Sequence, residues 1–400
     1  MNILTFSTLW PNHEQPLHGL FVRERMKIVA NRCRLKVMAP VPWFLPVKWF
    51  GELYYTYSQV ARYEKQDGLE VFHPRYLVLP KIWKVIDGFL MYYSLRHVVR
   101  KMRYQFRFDV LDAHWAFPDG YAAGRIASEL GVPYTITVRG NDMTVFAQEK
   151  WRGEYIRRTL MQAGKVICVA RSLQEDVLKL GIPEEKTIVL ENGVDPQKFF
   201  RINREEARQK LQLSPEAQII LGIGHLSERK GFHLLIDAFE QILNQRERTS
   251  QIHLVIVGGP LPWDPSYKDR LLYQIKEKNL SEFVSLVGAK PPEELKYWYS
   301  ASDLFCLASS REGCPNVILE SLACGTPVVA TAVSGTPDIL SDQNVGILVE
   351  QSVENIRQGI MQALEIYWNH ETIIAYARKN YSWEIIADRI YDIFKTIRTS

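Results

Sequence analysis

The feature that most constrains this chain is an alternation of short apolar runs with helical patterns, which fills almost its whole length and restarts once. Parallel strands cannot be joined by tight turns and need a crossover between them, so this alternation predicts parallel α/β construction. In the first half, strands are expected at 2–7, 35–39, 109–113, 134–138, 165–169 and 187–190, with helices at 20–31, 118–130, 151–163 and 171–180. The pattern breaks in ENGVDPQKFF, where Gly193 and Pro196 interrupt regular structure. It then resumes with strands at 218–223, 252–257, 283–287, 303–307, 327–330 and 346–349. Four hundred residues exceed what one hydrophobic core usually organises. The expected fold class is therefore α/β, with two Rossmann-like, doubly wound parallel-sheet domains, 1–198 and 199–381, facing a central cleft. Ser382 is placed to cap a last helix, 382–400, that crosses back to the first domain. Open parallel sheets bind ligands at the carboxyl ends of their strands, so the chemistry is expected in the loops that follow those strands.

Composition narrows the function class. With 46% hydrophobic and 24% charged residues the chain is neither disordered nor collagen-like. Its five cysteines (33, 168, 306, 314, 324) include no C-x-x-C pair, and the odd number suits a reducing compartment. The opening MNILTFSTLWPNHEQ has no basic leader region and reads as a first strand rather than a signal peptide. No uncharged apolar run approaches the length of a membrane-spanning helix. A cytoplasmic protein is expected. The charge is uneven: 28 Lys+Arg against 20 Asp+Glu in 1–198 leave +8, and the remaining 21 against 25 leave −4. The first half is the one suited to an anionic partner.

Two segments carry the candidate chemistry. In SSREGCPNVILESLACG, Ser309 to Gly325, Pro315 suits a helix start and Gly325 its end. The first N–H groups, at Asn316 and Val317, then make an anion site with the positive end of the helix dipole. Glu312 precedes that end, and Glu320 lies one turn beyond Asn316. Either glutamate alone reads as a cap or a solvated charge; the pair around Pro-Asn reads as a site. In GIGHLSERKG, Gly222 to Gly231, glycines allow close backbone approach, while Arg229 and Lys230 bring cations. The third glycine of a dinucleotide fingerprint is replaced by Ser227. Together the two segments predict a diphosphate pocket. No D-x-D motif and no metal-spaced His/Cys/carboxylate cluster occurs, so no metal and no cofactor is expected.

These motifs resemble those of the retaining glycosyltransferases of family 4, which have the GT-B fold. The resemblance rests on the Glu-x7-Glu pair Glu312/Glu320 and the A-C-G-T-P-V-V-A-T run that follows. Lys230-Gly231, Asn192-Gly193-Val194-Asp195 and Ser334-Gly335-Thr336-Pro337-Asp338 complete it. It implies transfer of a sugar from a nucleoside-diphosphate sugar to a glycan, glycolipid or lipid-linked acceptor. Glu312 would touch the donor sugar and Glu320 the ribose, with Gly224 and Cys314 beside the donor sugar or nucleotide. Lys230 would neutralise the diphosphate, helped by Gly19, Arg229, Asn316 and Val317. His114 would sit near the reacting centre, and Arg139 and Asp142 on the acceptor side. The family often has Arg where this chain has His225, so either Arg229 or a protonated His225 would supply the second cation. Retention follows from the resemblance alone, as does same-face substitution in which the departing phosphate helps deprotonate the acceptor.

Segment 41–108 departs most from a minimal α/β half. It packs Trp43, Phe44, Trp49, Phe50, Tyr54 and Tyr55 near one another, and 81–108 holds seven Lys/Arg against one Asp. Such a stretch suits an anchor on anionic lipid at the inner face of the membrane, or a core-packed helix with a solvated basic face. No nucleic-acid motif accompanies it. Two other functions are compatible with the residues: a sugar-nucleotide 2-epimerase, and a non-catalytic sugar-nucleotide-binding partner.

Overall fold

The computed structural model describes residues 1–44, 52–79, 84–245, 251–261 and 264–399. Trp49, Phe50, Lys81 and Trp83 of the aromatic–basic segment lie outside them. The chain divides into two compact units, Met1–Asn192 with Trp383–Ser400, and Gly193–Ser382. The division falls at Asn192/Gly193 rather than at 198.

The first unit is built on β1 (Asn2–Phe6), β2 (Arg34–Met38), β3 (Val41–Trp43), β4 (Tyr63–Gln66), β5 (Leu69–Phe72), β6 (Arg75–Leu77), β7 (Val110–His114), β8 (Tyr134–Val138), β9 (Lys165–Cys168) and β10 (Thr187–Val189). Eight of these form one sheet in the order β10-β9-β8-β7-β1-β2-β5-β4, parallel except for β4, and β3 pairs with β6. Every residue of β7 and β8 is buried, as expected of central parallel strands covered on both faces. The edge hairpin β4–β5 was not expected. Its turn is Asp67-Gly68, both at positive φ (49° and 86°), a dipeptide suited to a tight hairpin connection. The helix expected from 118 begins instead at Tyr121, because Ala116–Gly120 forms a wider turn.

The helix Trp383–Thr399 belongs to this first unit. It buries Ile386, Ile390, Phe394 and Ile397, one stripe at helical spacing, in a core shared with Val22, Met26 and Val29 of the helix Leu20–Val29. Each such side chain contributes about 1.5–3 kcal/mol of burial. The helix Asp87–Gln105 likewise turns Met91, Leu95, Val99 and Met102 inward, leaving Tyr93, Arg100, Lys101 and Tyr104 exposed. The inward face is packed in the core and the outward face is basic and aromatic, a composition that both readings of this stretch share.

The second unit holds β11 (Gln218–Ile223), β12 (Ile252–Val257), β13 (Val284–Gly288), β14 (Leu304–Leu307), β15 (Val328–Thr331) and β16 (Gly346–Val349), ordered β13-β12-β11-β14-β15-β16 and all parallel. That is the doubly wound order, whose direction of winding reverses between β11 and β14. In the first unit the reversal falls between β1 and β7. Loops leaving these strand pairs diverge, and the crevices so opened are where ligands bind in such sheets.

Candidate active site

The loops after β11 and β14, on either side of the second unit's reversal point, carry its charged cluster. Lys230 Nζ lies 2.6 Å from Glu312 Oε1, and Arg229 Nη1 lies 3.0 Å from Glu312 Oε2. Ser309 Oγ donates to the same Oε1 at 2.7 Å, and the Glu312 N–H donates to Ser334 Oγ at 3.3 Å. Glu312 therefore has a partner for each carboxylate oxygen and for its backbone. Burial alone would raise its pKa, but the Lys230 and Arg229 cations outweigh that and hold the carboxyl below its usual range. The stem of Lys230 runs over Gly224, whose missing Cβ would sit 3.1 Å from Lys230 Cε. Gly231 is at φ +68°, and a Cβ there would fall 2.0 Å from the Ala308 carbonyl oxygen. Only glycine lets the Lys230 turn press against the end of β14.

Asn316 and Val317 head the helix Asn316–Ala323, after Pro315. Its first N–H groups have no intrahelical acceptor and give this end partial positive charge. Cys314 is half-buried against the unit's core. Glu320 stands apart from the cluster. Its Oε2 accepts from the fully buried Tyr299 hydroxyl at 2.9 Å, and burial pushes its carboxyl up to about 7. Of the two candidates for a second cation, Arg229 is the one that pairs with Glu312; burial, with Lys230 and Arg229 nearby, lowers the pKa of His225.

In the first unit, His114 at the end of β7 is 1% exposed. Its Nδ1 accepts from Arg139 Nη2 at 2.8 Å, and its Nε2 lies 3.0 Å from Asp112 Oδ2. Arginine only donates, so Nδ1 carries the lone pair and Nε2 the proton. Burial, opposed by Asp112 and reinforced by Arg139, pushes the imidazole down to about 4. The ring is thus held between Arg139 and Asp112 at the carboxyl end of β7. Arg139 also donates to Asn192 Oδ1 at 3.3 Å, and its guanidinium lies 4.9 Å from the centre of the Phe21 ring.

Asp142, expected to meet an acceptor, is wholly buried. Its carboxylate accepts backbone N–H groups of Ala116 (3.0 Å), Arg139 (3.1 Å) and Gly140 (2.8 Å). It ties the loop after β8 to the loop after β7. Gly19 has an internal reason for being glycine: at φ +67°, its Cβ would fall 2.3 Å from the Leu9 carbonyl carbon. The site residues that sequence reasoning missed are Tyr299, Asp112 and the pair Thr8–Asp119, in which the buried carboxyl accepts from the Thr8 N–H (3.0 Å) and hydroxyl (2.8 Å). Asp112 lies in the run DAHWAFPDG, where a carboxylate two residues before His114 was the available signal.

Among the described residues, no group of three or more His, Cys, Asp or Glu is arranged to hold a metal. No described helix is long and apolar enough to cross a membrane.

Two family models match the chain, Glycosyltransferase Family 4 over residues 53–198 and Glycosyl transferases group 1 over 203–380. A Bacillus subtilis protein named as the teichuronic acid biosynthesis glycosyltransferase TuaC is 26% identical over 93% of this chain and 90% of its own. Among solved structures, the fold is similar to that of sucrose-phosphate synthase from Thermosynechococcus elongatus, with TM-score 0.77, 18% identity and coverage of 99% of this chain and 98% of that one. It is also similar to Anabaena Alr3699/HepE, solved with UDP and glucose, with TM-score 0.74, 17% identity and 99% of each chain covered.

Proposed function

Because the chain belongs to the family 4 glycosyltransferases, we propose that its donor is a nucleoside-diphosphate sugar and that it acts with retention and without a metal. The acceptor is a hydroxyl of a glycan, glycolipid or lipid-linked sugar. The observation that carries this reading is the Lys230–Glu312–Arg229 cluster at the reversal point of the second sheet. A diphosphate gains negative charge as the glycosidic bond breaks. Two cations and the end of the helix Asn316–Ala323 stabilise that charge more in the transition state than before it. In this reading Lys230 and Arg229 exchange part of their hold on Glu312 for the phosphates, Gly224 gives room beside them, and Asn316 and Val317 offer backbone donors. Glu312 is then released toward the donor sugar's hydroxyls near Cys314, and Glu320 accepts from the ribose. Gly19 belongs to the same reading as a close backbone approach.

A double displacement needs a free nucleophilic carboxylate on the opposite face of the sugar. Glu312, bound to two cations and Ser309, is poorly suited to that. Same-face substitution, in which the leaving phosphate takes the acceptor's proton, fits better. The UDP complexes of HepE support a nucleotide donor, and the name of TuaC, a teichuronic acid biosynthesis glycosyltransferase, supports an acceptor in polysaccharide synthesis. The exposed Tyr93, Arg100, Lys101 and Tyr104 suit a cytoplasmic enzyme resting on the inner, anionic face of the membrane.

The test is incubation with a panel of sugar nucleotides and no acceptor. Slow release of free sugar and nucleoside diphosphate is expected. An epimerised donor would show the isomerase instead, and binding without turnover a non-catalytic partner.

A further inference from the structure

The first unit contains a cavity of about 200 Å³ that the donor chemistry does not use. Its walls come from the carboxyl ends of four parallel strands: Thr8 to Trp10 after β1, Ala39 after β2, His73 after β5 and Trp115 after β7. It therefore opens beside the reversal point between β1 and β7, where an open sheet is built to receive a ligand. The same geometry located the charged cluster of the second unit.

The walls are of one chemical kind. Among the described residues, no Lys, Arg, Asp or Glu lines the cavity. Flat aromatic surfaces come from Trp10, Tyr57, Tyr76 and Trp115, and hydrogen-bonding groups from Asn12, Gln15 and the two histidines. Both histidines are neutral at pH 7 because burial lowers each pKa. His18 Nε2 lies 3.1 Å from the Thr8 carbonyl, and His73 Nδ1 lies 3.1 Å from the Ala39 carbonyl. A carbonyl only accepts, so these nitrogens carry the protons, and His18 Nδ1 and His73 Nε2 hold lone pairs. His73 is 1% exposed; among the described residues its Nε2, 3.9 Å from Glu64 Oε1, has no hydrogen-bond partner, and neither has the Trp115 indole N–H. One of these atoms accepts and the other donates. A hydroxyl can answer both, whereas a phosphate oxygen can answer only the donor.

Trp115 is also held at φ +79°, unusual for a bulky residue, and strain of this kind collects at ligand sites. The volume equals that of about seven waters in the liquid, room for one six-membered ring and not for an oligosaccharide.

We propose that this cavity seats a single uncharged sugar ring, the terminal residue of the acceptor. This rests on the transferase reading given above and adds the acceptor's class: the group entering here is neutral and hydroxylated, not a phosphate and not an acyl chain. An aromatic face takes the C–H side of such a ring, while amides and imidazoles take its hydroxyls.

The experiment is saturation-transfer NMR on the full chain with neutral methyl hexopyranosides, their 6-phosphates and octanoate, with and without UDP. At least one neutral glycoside should show transfer, and UDP should not displace it. The signal should fall at least fivefold in His18→Ala and in Tyr57→Leu, while both variants keep the parent's UDP affinity. His18 is an exposed residue, so its variant tests the idea even if Tyr57→Leu folds poorly. Preference for the phosphates or octanoate, displacement by UDP, absence of any neutral-glycoside signal, or unchanged signal in both variants would overturn the proposal. Glycoside binding without UDP binding would count against the donor reading and leave this site standing.

Discussion

Lys230 Nζ lies 2.6 Å from Glu312 Oε1, with side-chain exposures of only 9% and 8%. A loop lysine in solvent can be lost without cost to folding; this one is buried against a buried carboxylate. Lys230→Ala should lower turnover about 10²–10³-fold, the usual cost of removing one preorganised charge-stabilising donor. It should also lower stability by about 1–3 kcal/mol, because Glu312 then keeps only Arg229 as a charged partner. Adding Glu312→Gln should restore part of the stability and none of the turnover. Urea unfolding of the double-mutant cycle, with initial rates alongside, checks both, and full activity in Lys230→Ala would sink the diphosphate assignment.

The turn that delivers Lys230 depends on Gly231. A methyl group there would meet the Ala308 oxygen at 2.0 Å, and the backbone sits at positive φ. Gly231→Ala should therefore destabilise by more than the ~1 kcal/mol at stake in an unstrained Gly→Ala change. Nucleoside diphosphate affinity should fall with it, since Lys230 is displaced. A urea midpoint equal to the parent's would show that the turn accommodates the methyl group.

Asp142 organises the first unit's loops through three backbone N–H groups. Asn at this position keeps the shape but offers one oxygen and turns an NH2 toward donors. Asp142→Asn should lose roughly 1–3 kcal/mol. His114 should lose protection with it, because Arg139 sits in the same loop. Hydrogen exchange at 114–116 and 139–142 is the direct readout; exchange unchanged at both segments would remove Asp142 from this role.

Much of the fold was legible because the apolar period carries it. The expected strands 134–138, 218–223, 252–257 and 346–349 coincide with β8, β11, β12 and β16. The hairpin β4–β5 escaped because YEKQ is polar on both faces, as an edge strand can be, although Asp67-Gly68 signalled its turn. In the site, the spacing of Glu312 and Glu320 was readable along one segment. The bond from Lys230 to Glu312 was not, since it joins residues 82 apart and exists only because β11 neighbours β14. The tautomer of His114 was likewise hidden, because it depends on Arg139 arriving from the loop after the neighbouring strand β8.

Charge on the leaving group bears on metal dependence. Lys230 and Arg229 both approach where the diphosphate is proposed to sit, and the sequence has no D-x-D motif to hold a metal–diphosphate complex. Turnover should persist in EDTA at no less than about half its untreated rate. Loss of activity that manganese or magnesium restores would contradict this.

Glu320 makes the nucleotide site sensitive to pH. Burial pushes its carboxyl up to about 7, with the Tyr299 hydroxyl as its one strong donor. Ribose hydroxyls donate, so the ionised carboxylate is the form that binds, and nucleoside diphosphate affinity should rise with pH. For a group with pKa near 7 that must be ionised, affinity gains about tenfold between pH 6 and pH 8 and then levels. The same shift acts oppositely on the empty protein. A folded pKa above the unfolded value of 4.5 means that the folded form binds the proton more tightly. Stability from this group is present below about 4.5 and is lost as pH climbs through 7. Glu320→Gln should therefore weaken nucleotide binding at pH 8, raise the Tm of the free protein there, and change little at pH 5. Titration calorimetry from pH 6 to 8, on parent and variant in the same buffers, separates this carboxyl from the ligand's own phosphate ionisation. Parallel affinity profiles for the two proteins would show that Glu320 does not meet the ribose.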